Sequence, residues 1–498
     1  MNCKPLSGLH ILAGALLALG AAACTLGPDF SRPAPPGPLP QPPAAGPQSF
    51  LFGADIAHDW YRLFKSAALD SLVQQALAGN PDLDAARHGL AAAQFELRAV
   101  AGSALPQVQG SADVSRSRLN GSFVNGPVAA LGATANRFSV GPALAYDLDA
   151  FGGVRRAIES QSAAAAVTRD QALNTFITLV DQVVVTAFDY ASTEAQLDIT
   201  RSLVSDLQAQ LQLNQRLEAA GKITHGDTLL AQAQLENTRA DLPQLEQRRD
   251  TLRDAIAQLL GREPAGFSMP ELGLADFQLP PQLPVSLPAS LVRQRPDVLQ
   301  AEDTLHEASA QIGVAEAARW PSLTISAQYA QQATKLNELL TQPGAIWEAG
   351  LGLSTPIFNG GRLKARRDEA RAKFLQAQSS YRAAVLAALV EVADCIQAIQ
   401  HDAAAYTARS RALQASRDSR DLAVAQFKSG TVGELTVLAA EAQYQSAALA
   451  QVQSDMRRFS DTAALFHALG GGWWNAQADP ATQPAPAAAQ TAVAGATQ

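Results

Sequence analysis

Gly360-Gly361-Arg362-Leu363-Lys364-Ala365-Arg366-Arg367 opens a run that reaches Gly430 without one proline. A second proline-free run goes from Val154 to Gly221. In it apolar residues recur at three and four: Leu173, Phe176, Ile177, Val180, Val184, Ala187 and Tyr190. That spacing lays one apolar stripe along a helix. At 1.5 Å per residue each helix reaches on the order of 100 Å, a length no single globular domain needs. Each run closes on a glycine turn, and a return helix about half as long is predicted to end at Leu260-Gly261 or Leu469-Gly470.

Working outward from these helices, the chain repeats itself. Asn80-Pro81-Asp82 matches Arg295-Pro296-Asp297, and Leu105-Pro106 matches Trp320-Pro321. Gly152-Gly153 matches Gly360-Gly361, and Leu229 to Gln234 matches Leu438 to Gln443. Two copies of one unit are predicted, over 61–263 and 289–474, with a Pro-rich hinge at 264–288. Each copy begins with a helix that carries proline in its first turn, Pro81 or Pro296, where the missing N–H costs nothing. That helix stops before the next proline, Pro106 or Pro321.

Two strands follow in each copy. Leu323, Ile325, Ala327 and Tyr329 alternate with Thr324, Ser326 and Gln328. Trp347, Ala349, Leu351, Leu353 and Ile357 alternate with Glu348, Gly350, Gly352 and Ser354. Phe138, Val140, Leu144, Tyr146 and Leu148 do the same, and Val108 to Val114 more weakly. Period two puts apolar side chains on one face and small or polar ones on the other. A water-filled membrane barrel needs such strands, but four cannot close one, and lipid excludes open edges. Several chains are therefore expected to share one barrel. A soluble sandwich with attached coiled coils is the competing reading.

Composition sets the remaining bounds. The 498 residues carry a net charge of -8, 17% charged and 6% aromatic residues, which suits long helices packed through small side chains. No basic stretch with interleaved aromatics suggests nucleic acid. The seven histidines are scattered, and no P-loop, nucleotide fingerprint or nucleophile elbow is present, so no enzyme, metal or cofactor is expected.

Lys4 and the apolar run Leu9–Gly20 read as a signal peptide over 1–23, ending in Ala21-Ala22-Ala23-Cys24. Small residues before a cysteine resemble a lipobox, which makes Cys24 the acylated mature N-terminus, with Thr25 favouring outer-membrane sorting. A Pro-rich leader occupies 24–60, with Pro28 to Pro47 read as an extended connector, and a low-complexity Ala/Gln/Pro tail occupies 475–498. Cys395, in an Ala/Val/Ile helical pattern, is expected to be a small buried residue.

The segment Cys24-Thr25-Leu26-Gly27-Pro28-Asp29-Phe30-Ser31-Arg32-Pro33 resembles the mature start of outer-membrane factor lipoproteins of the NodT subfamily, which are TolC-like. Arg293-Gln294-Arg295-Pro296-Asp297-Val298, Trp320-Pro321-Ser322-Leu323, Pro356-Ile357-Phe358-Asn359-Gly360-Gly361-Arg362 and Phe427-Lys428-Ser429-Gly430 strengthen it. It covers Cys24 to Gly472. The resemblance implies a mainly α fold with a membrane β-barrel: a homotrimer with a shared twelve-strand barrel above a tunnel of paired helices. It also implies a periplasmic adaptor and an inner-membrane pump of the resistance-nodulation-division or a related type. A duct for type I-like secretion and a non-conducting lipoprotein scaffold are the alternatives.

The same resemblance puts the turns at Gly221, Lys222, Gly226 and Asp227, and at Gly430, Thr431, Val432 and Gly433, at a periplasmic tip where an adaptor docks. Chain reversal alone also accounts for the glycines. Charged residues near this height close related channels, which points to Arg417, Asp418, Arg420 and Asp421, with Arg420 and Asp421 the preferred pair. An ordinary solvated face is the other reading. Gln212 matches Asp421 in the first copy, so a charged ring there lacks sixfold character. Arg155 and Arg156, and the cluster from Arg362 to Lys373, are read as a basic ring or a solvated surface.

Overall fold

The computed structural model describes residues 25–34, 48–118, 134–286, 288–340 and 344–475. The signal segment, Cys24 and the tail beyond Asn475 lie outside the described residues. In chain order come β1 (Ser49–Phe52), α1 (Ala67–Gly79), α2 (Pro81–Gly102), β2 (Gln107–Arg118), β3 (Thr134–Asp147), α3 (Gly153–Ala219) and α4 (His225–Leu259). Then follow β4 (Gln282–Val285), α5 (Pro288–Gln294), α6 (Pro296–Ala317), β5 (Ser322–Ala333), β6 (Ala345–Ser354), α7 (Arg362–Lys428) and α8 (Glu434–Ala468).

The copies match in length. α2 and α6 each have 22 residues, α3 and α7 have 67, and α4 and α8 have 35. One boundary differs from the sequence reading. β6 stops at Ser354 rather than at Ile357, because Pro356 has no N–H to give a ladder. Each long return helix has the predicted length, although α4 carries Pro243 in its interior.

Contacts divide the chain into two units that cut across both repeats. One comprises residues 1–33, 90–168 and 300–382, the other 34–89, 169–299 and 383–498.

The first unit holds a four-stranded antiparallel sheet in the order β2-β3-β5-β6. It also holds the start of the Pro-rich leader, without helix or strand but packed in place. Residues 25–32 form a strap against α3 and α6. Leu26 N donates to Phe151 O at 3.2 Å, and Phe30 stacks on His306 with centroids 4.4 Å apart. Arg32 pairs with Glu302 at 2.7 Å. Arg156 is buried, not part of a solvated ring: it donates to Leu26 O at 3.1 Å and pairs with Asp29 at 2.6 Å and Glu159 at 2.7 Å. Arg155 instead closes on Asp149 at 3.1 Å, whose carboxylate also accepts from Val154 N at 2.8 Å and caps α3.

The second unit gathers the scarce aromatic residues into one core. Phe188 meets Phe64 at 4.9 Å, Phe277 at 4.8 Å and Phe459 at 5.3 Å, while Trp60 stacks on Phe466 at 5.2 Å. Each such pair adds about 0.5–1.5 kcal/mol beyond burial. The leader and the hinge meet here as well. β1 and β4 pair in parallel, Ser49 opposite Gln282 and Phe52 opposite Val285, with Leu283 and Val285 fully buried. Cys395 packs half-buried against this core as a free thiol, and burial pushes it up to about 12.

Candidate functional site: a two-faced sheet and a charged helix end

Register makes the sheet two-faced. Leu323 pairs with Leu353, Ile325 with Leu351, Ala327 with Ala349 and Tyr329 with Trp347. Across the next ladder Leu144 meets Ala327 and Tyr146 meets Ile325, and beyond it Val108 meets Leu144 and Val114 meets Phe138. These residues share one face, because facing partners in a ladder point the same way. The opposite face pairs Thr324 with Gly352, Ser326 with Gly350 and Gln328 with Glu348, and continues through Asp147, Ala143, Ser139, Ser111 and Asp113. Val108, Val114, Trp347, Leu351 and Leu353 are left exposed in the single chain. The two outer strands, β2 and β6, each keep one unpaired edge within this sheet.

At the other functional locus, in the second unit, the ends of α3 and α7 meet the starts of α4 and α8. Both long helices finish on a left-handed glycine, Gly221 at φ 66° and Gly430 at φ 76°. Lys222 N bonds back to Leu217 O at 2.9 Å and Thr431 N to Gln426 O at 2.9 Å, which satisfies carbonyls the helix ends would otherwise leave unpaired. Thr224 and Asp227 then open α4 as a capping box: Asp227 Oδ2 accepts from Thr224 N at 2.9 Å, and Thr224 Oγ1 from Asp227 N at 3.3 Å. The Thr224 hydroxyl, donating to Asp227 Oδ2 at 2.8 Å, and then the Thr224 N–H hold the Asp227 carboxyl below its usual range. Lys222, Gly226, Thr431 and Gly433 are exposed, and Val432 is half-buried.

Within this unit a cavity of about 350 Å³ is lined by Asp206, Leu207, Gln210, Arg420, Asp421, Val424, Val437, Leu438 and Glu441. The expected pair is present: Arg420 Nη2 lies 2.8 Å from Asp421 Oδ1. Arg420 Nε also stands 4.0 Å from Glu441, and its guanidinium covers the Tyr444 ring at 4.1 Å. Burial raises the Glu441 carboxyl; Arg420 opposes this and Asp206 and Asp421 reinforce it. Burial works against the Arg420 charge, but the hydrogen bond it donates to Asp421 and the charge of Glu441 outweigh it. Asp418 stands apart, accepting from Gln414 at 2.9 Å, and Arg417 is exposed. Asp206, Glu441 and Tyr444 were not singled out from sequence, because nothing in the sequence shows which residues of two other helices face Arg420. Beside them Gln210 donates to Glu434 at 3.0 Å, joining α3 to α8.

A family model described as "Outer membrane efflux protein" matches residues 72–262 and again 287–471. The chain belongs to the outer membrane efflux protein family. Among relatives, the pyoverdine export outer membrane protein OpmQ of Pseudomonas putida is 28% identical over 94% of this chain and 98% of its own. The cation efflux system protein CusC of Escherichia coli is 27% identical over 92% of this chain and 97% of its own. The solved outer-membrane channel OprN superposes with a TM-score of 0.82 at 28% identity, over 90% of this chain and all of that one. As in other members of the outer membrane efflux protein family, the fold is TolC-like and the protein is an outer-membrane channel component of a tripartite efflux system. Its relatives are efflux channel proteins rather than enzymes.

Proposed function

We propose that three copies of this chain close one twelve-stranded barrel, with the apolar face of the sheet toward lipid and the small, polar face toward an aqueous lumen. The observation that carries this reading is the sheet itself: four strands, one continuous apolar face left exposed, and two unpaired edges. Such edges are untenable in lipid unless another copy pairs with them. The apolar stretch of α7 supports the same reading, since Leu386 and Val390 are exposed on a single chain.

Cys24 carries the lipid anchor in this reading, and no other cofactor is needed. Support comes from Thr25, whose side chain packs against Gly152 one turn past the end of β3. A lipid on the preceding residue therefore emerges at the foot of the sheet. The exposed turns at Gly221–Asp227 and Gly430–Gly433 serve as the docking tip for a periplasmic adaptor, and an inner-membrane pump delivers the cargo. Arg420 and Asp421, with Asp206 and Glu441, form the closed gate. The NodT-like start of the mature chain fits a pump of the resistance-nodulation-division type. Relatives of nearly equal identity are named for pyoverdine and for cations, so the pump rather than the duct sets the cargo.

Purified protein in a planar bilayer tests this. The expected result is a trimer that conducts ions. Trimers that stay silent even with Arg420 and Asp421 both neutralised would favour a non-conducting scaffold.

A further inference from the structure

The internal repeat maps a contact that a single chain cannot make onto residues that the chain leaves bare. Counted from their first residues, Pro81 and Pro296, α2 and α6 align without gaps over 22 residues; counted from Gly153 and Arg362, α3 and α7 align over 67, one position out of step with the glycine-pair match before them. In the sheet the first copy meets the second where β3 pairs with β5. Below that ladder the helices of the same unit continue the seam. Phe151 stacks on Trp320 at 5.3 Å, His306 meets Glu159 at 3.0 Å and Gln311 meets Ser160 at 2.6 Å. Gly313 leaves room for Arg156: a Cβ on Gly313 would stand 2.7 Å from Arg156 Cγ.

The reverse seam, from second copy to first, would join β6 to β2. Its helix residues can be read off by the same correspondence, and the aromatic residue before the glycine pair lies one position further out. Phe358, separated by Asn359 from the glycine pair that Phe151 directly precedes, is 92% exposed, and Leu105, which like Trp320 precedes a proline, is 64% exposed. Phe95 stands where α6 has Ala310; the first is 63% exposed and the second fully buried. Bulk is exchanged at the crossing point. Arg98 replaces Gly313, and Ala365 replaces Arg156. Asp368 replaces Glu159, the carboxylate that holds Arg156 at 2.7 Å; it already pairs with Arg367 at 2.7 Å, and its exposed carboxylate lies where the Arg98 head would arrive.

We propose that this is the docking seam for a second copy of the chain. Phe358 and the start of α7 in one subunit receive Leu105, Phe95 and Arg98 of the partner subunit, with Arg98 passing over Ala365 to reach Asp368. The inference rests on the shared-barrel reading and adds the residues of the joint. One unfavourable match, Glu96 opposite Glu369, is answered by Lys373, 2.7 Å from Glu369.

The two seams also differ in what fills them. Within the chain the strap runs over Gly313, and Gly27 lies against it so closely that neither residue can carry a side chain. Each chain has one strap, and Arg98 occupies the corresponding place in the seam between subunits.

Cysteines at Leu105→Cys and Phe358→Cys, in a Cys395→Ser background, test the map with a short thiol cross-linker. The expected result is a covalent ladder up to trimer on denaturing gels, absent from either single-cysteine protein. A double-cysteine protein that is trimeric by native mass but forms no ladder overturns the map and leaves the shared barrel standing. Monomeric wild-type protein under the same conditions overturns the shared barrel itself. Should the cysteine pair fail to fold, charge reversal decides. Arg98→Asp should lower the temperature at which the trimer dissociates, and Asp368→Arg in the same chain should restore it. Absence of that rescue counts against the seam.

Discussion

Arg156 Nη2 lies 2.6 Å from Asp29 Oδ1, so a guanidinium only 5% exposed is held by a carboxylate that is 92% exposed. The arginine has taken on the cost of burial, and the strap supplies part of its compensation. Removing Asp29 leaves Arg156 paired with Glu159, so Asp29→Ala should cost about 1 kcal/mol. Arg156→Ala removes the anchor for Leu26, Asp29 and Glu159 together and should cost about 3 kcal/mol. Urea unfolding of the detergent-solubilised protein checks the order, and equal effects would mean that Glu159 carries nothing.

The repeat made most of this architecture legible beforehand. Proline at the first turn of α2 and α6, glycine after α3 and α7, and period-two alternation are local signals, and every one of those elements is present. Burial of Arg156 was not legible, because its partners lie 127 and 130 positions earlier, at Asp29 and Leu26. Nor was the parallel pairing of β1 with β4: both are four-residue strands beside prolines, too short for alternation to show, and their pairing joins residues more than 200 apart. The Arg420–Asp421 pair was found because it is adjacent in sequence, whereas Asp206 and Glu441 reach it from other helices.

The two faces of the sheet predict opposite outcomes for one substitution. Leu351 is exposed on the apolar face near the middle of β6, and Ser326 lies on the small, polar face of β5. Leu351→Arg places a charge in lipid at about 2–4 kcal/mol and should deplete the protein from the outer-membrane fraction. Ser326→Arg should leave insertion intact and shift ion selectivity toward anions. Equal depletion by both would argue against a lumen on that side.

Asp461 predicts a pH dependence of stability. Burial, with a hydrogen bond and the charge of Asp402, pushes its pKa from 3.8 up to about 7, and Arg457 opposes the shift. The folded chain therefore holds a proton that the unfolded chain has released between those values, and stability falls as pH rises through that window. Asp461→Asn removes the titrating group. Its unfolding midpoint should change less than wild type between about pH 5 and about pH 8, and should be the higher of the two at the alkaline end. Parallel curves for both proteins would rule the pair out as the source.

Arg420 is the cation among Asp206, Asp421 and Glu441, and its ring contact with Tyr444 fixes the direction in which it reaches. Arg420→Ala leaves three carboxylates around one cavity with no counter-charge among its lining residues. Repulsion then favours separating α7 and α8 from α3, which is the movement a gate at this height needs. Conductance in planar bilayers and uptake of large antibiotics should both rise, and Asp421→Ala should raise them less, since Glu441 still faces Arg420. Arg420→Lys keeps the charge but loses the planar fork over Tyr444 and should give an intermediate leak. A closed, wild-type conductance for Arg420→Ala would assign this cluster to holding the helix ends together and place the constriction elsewhere.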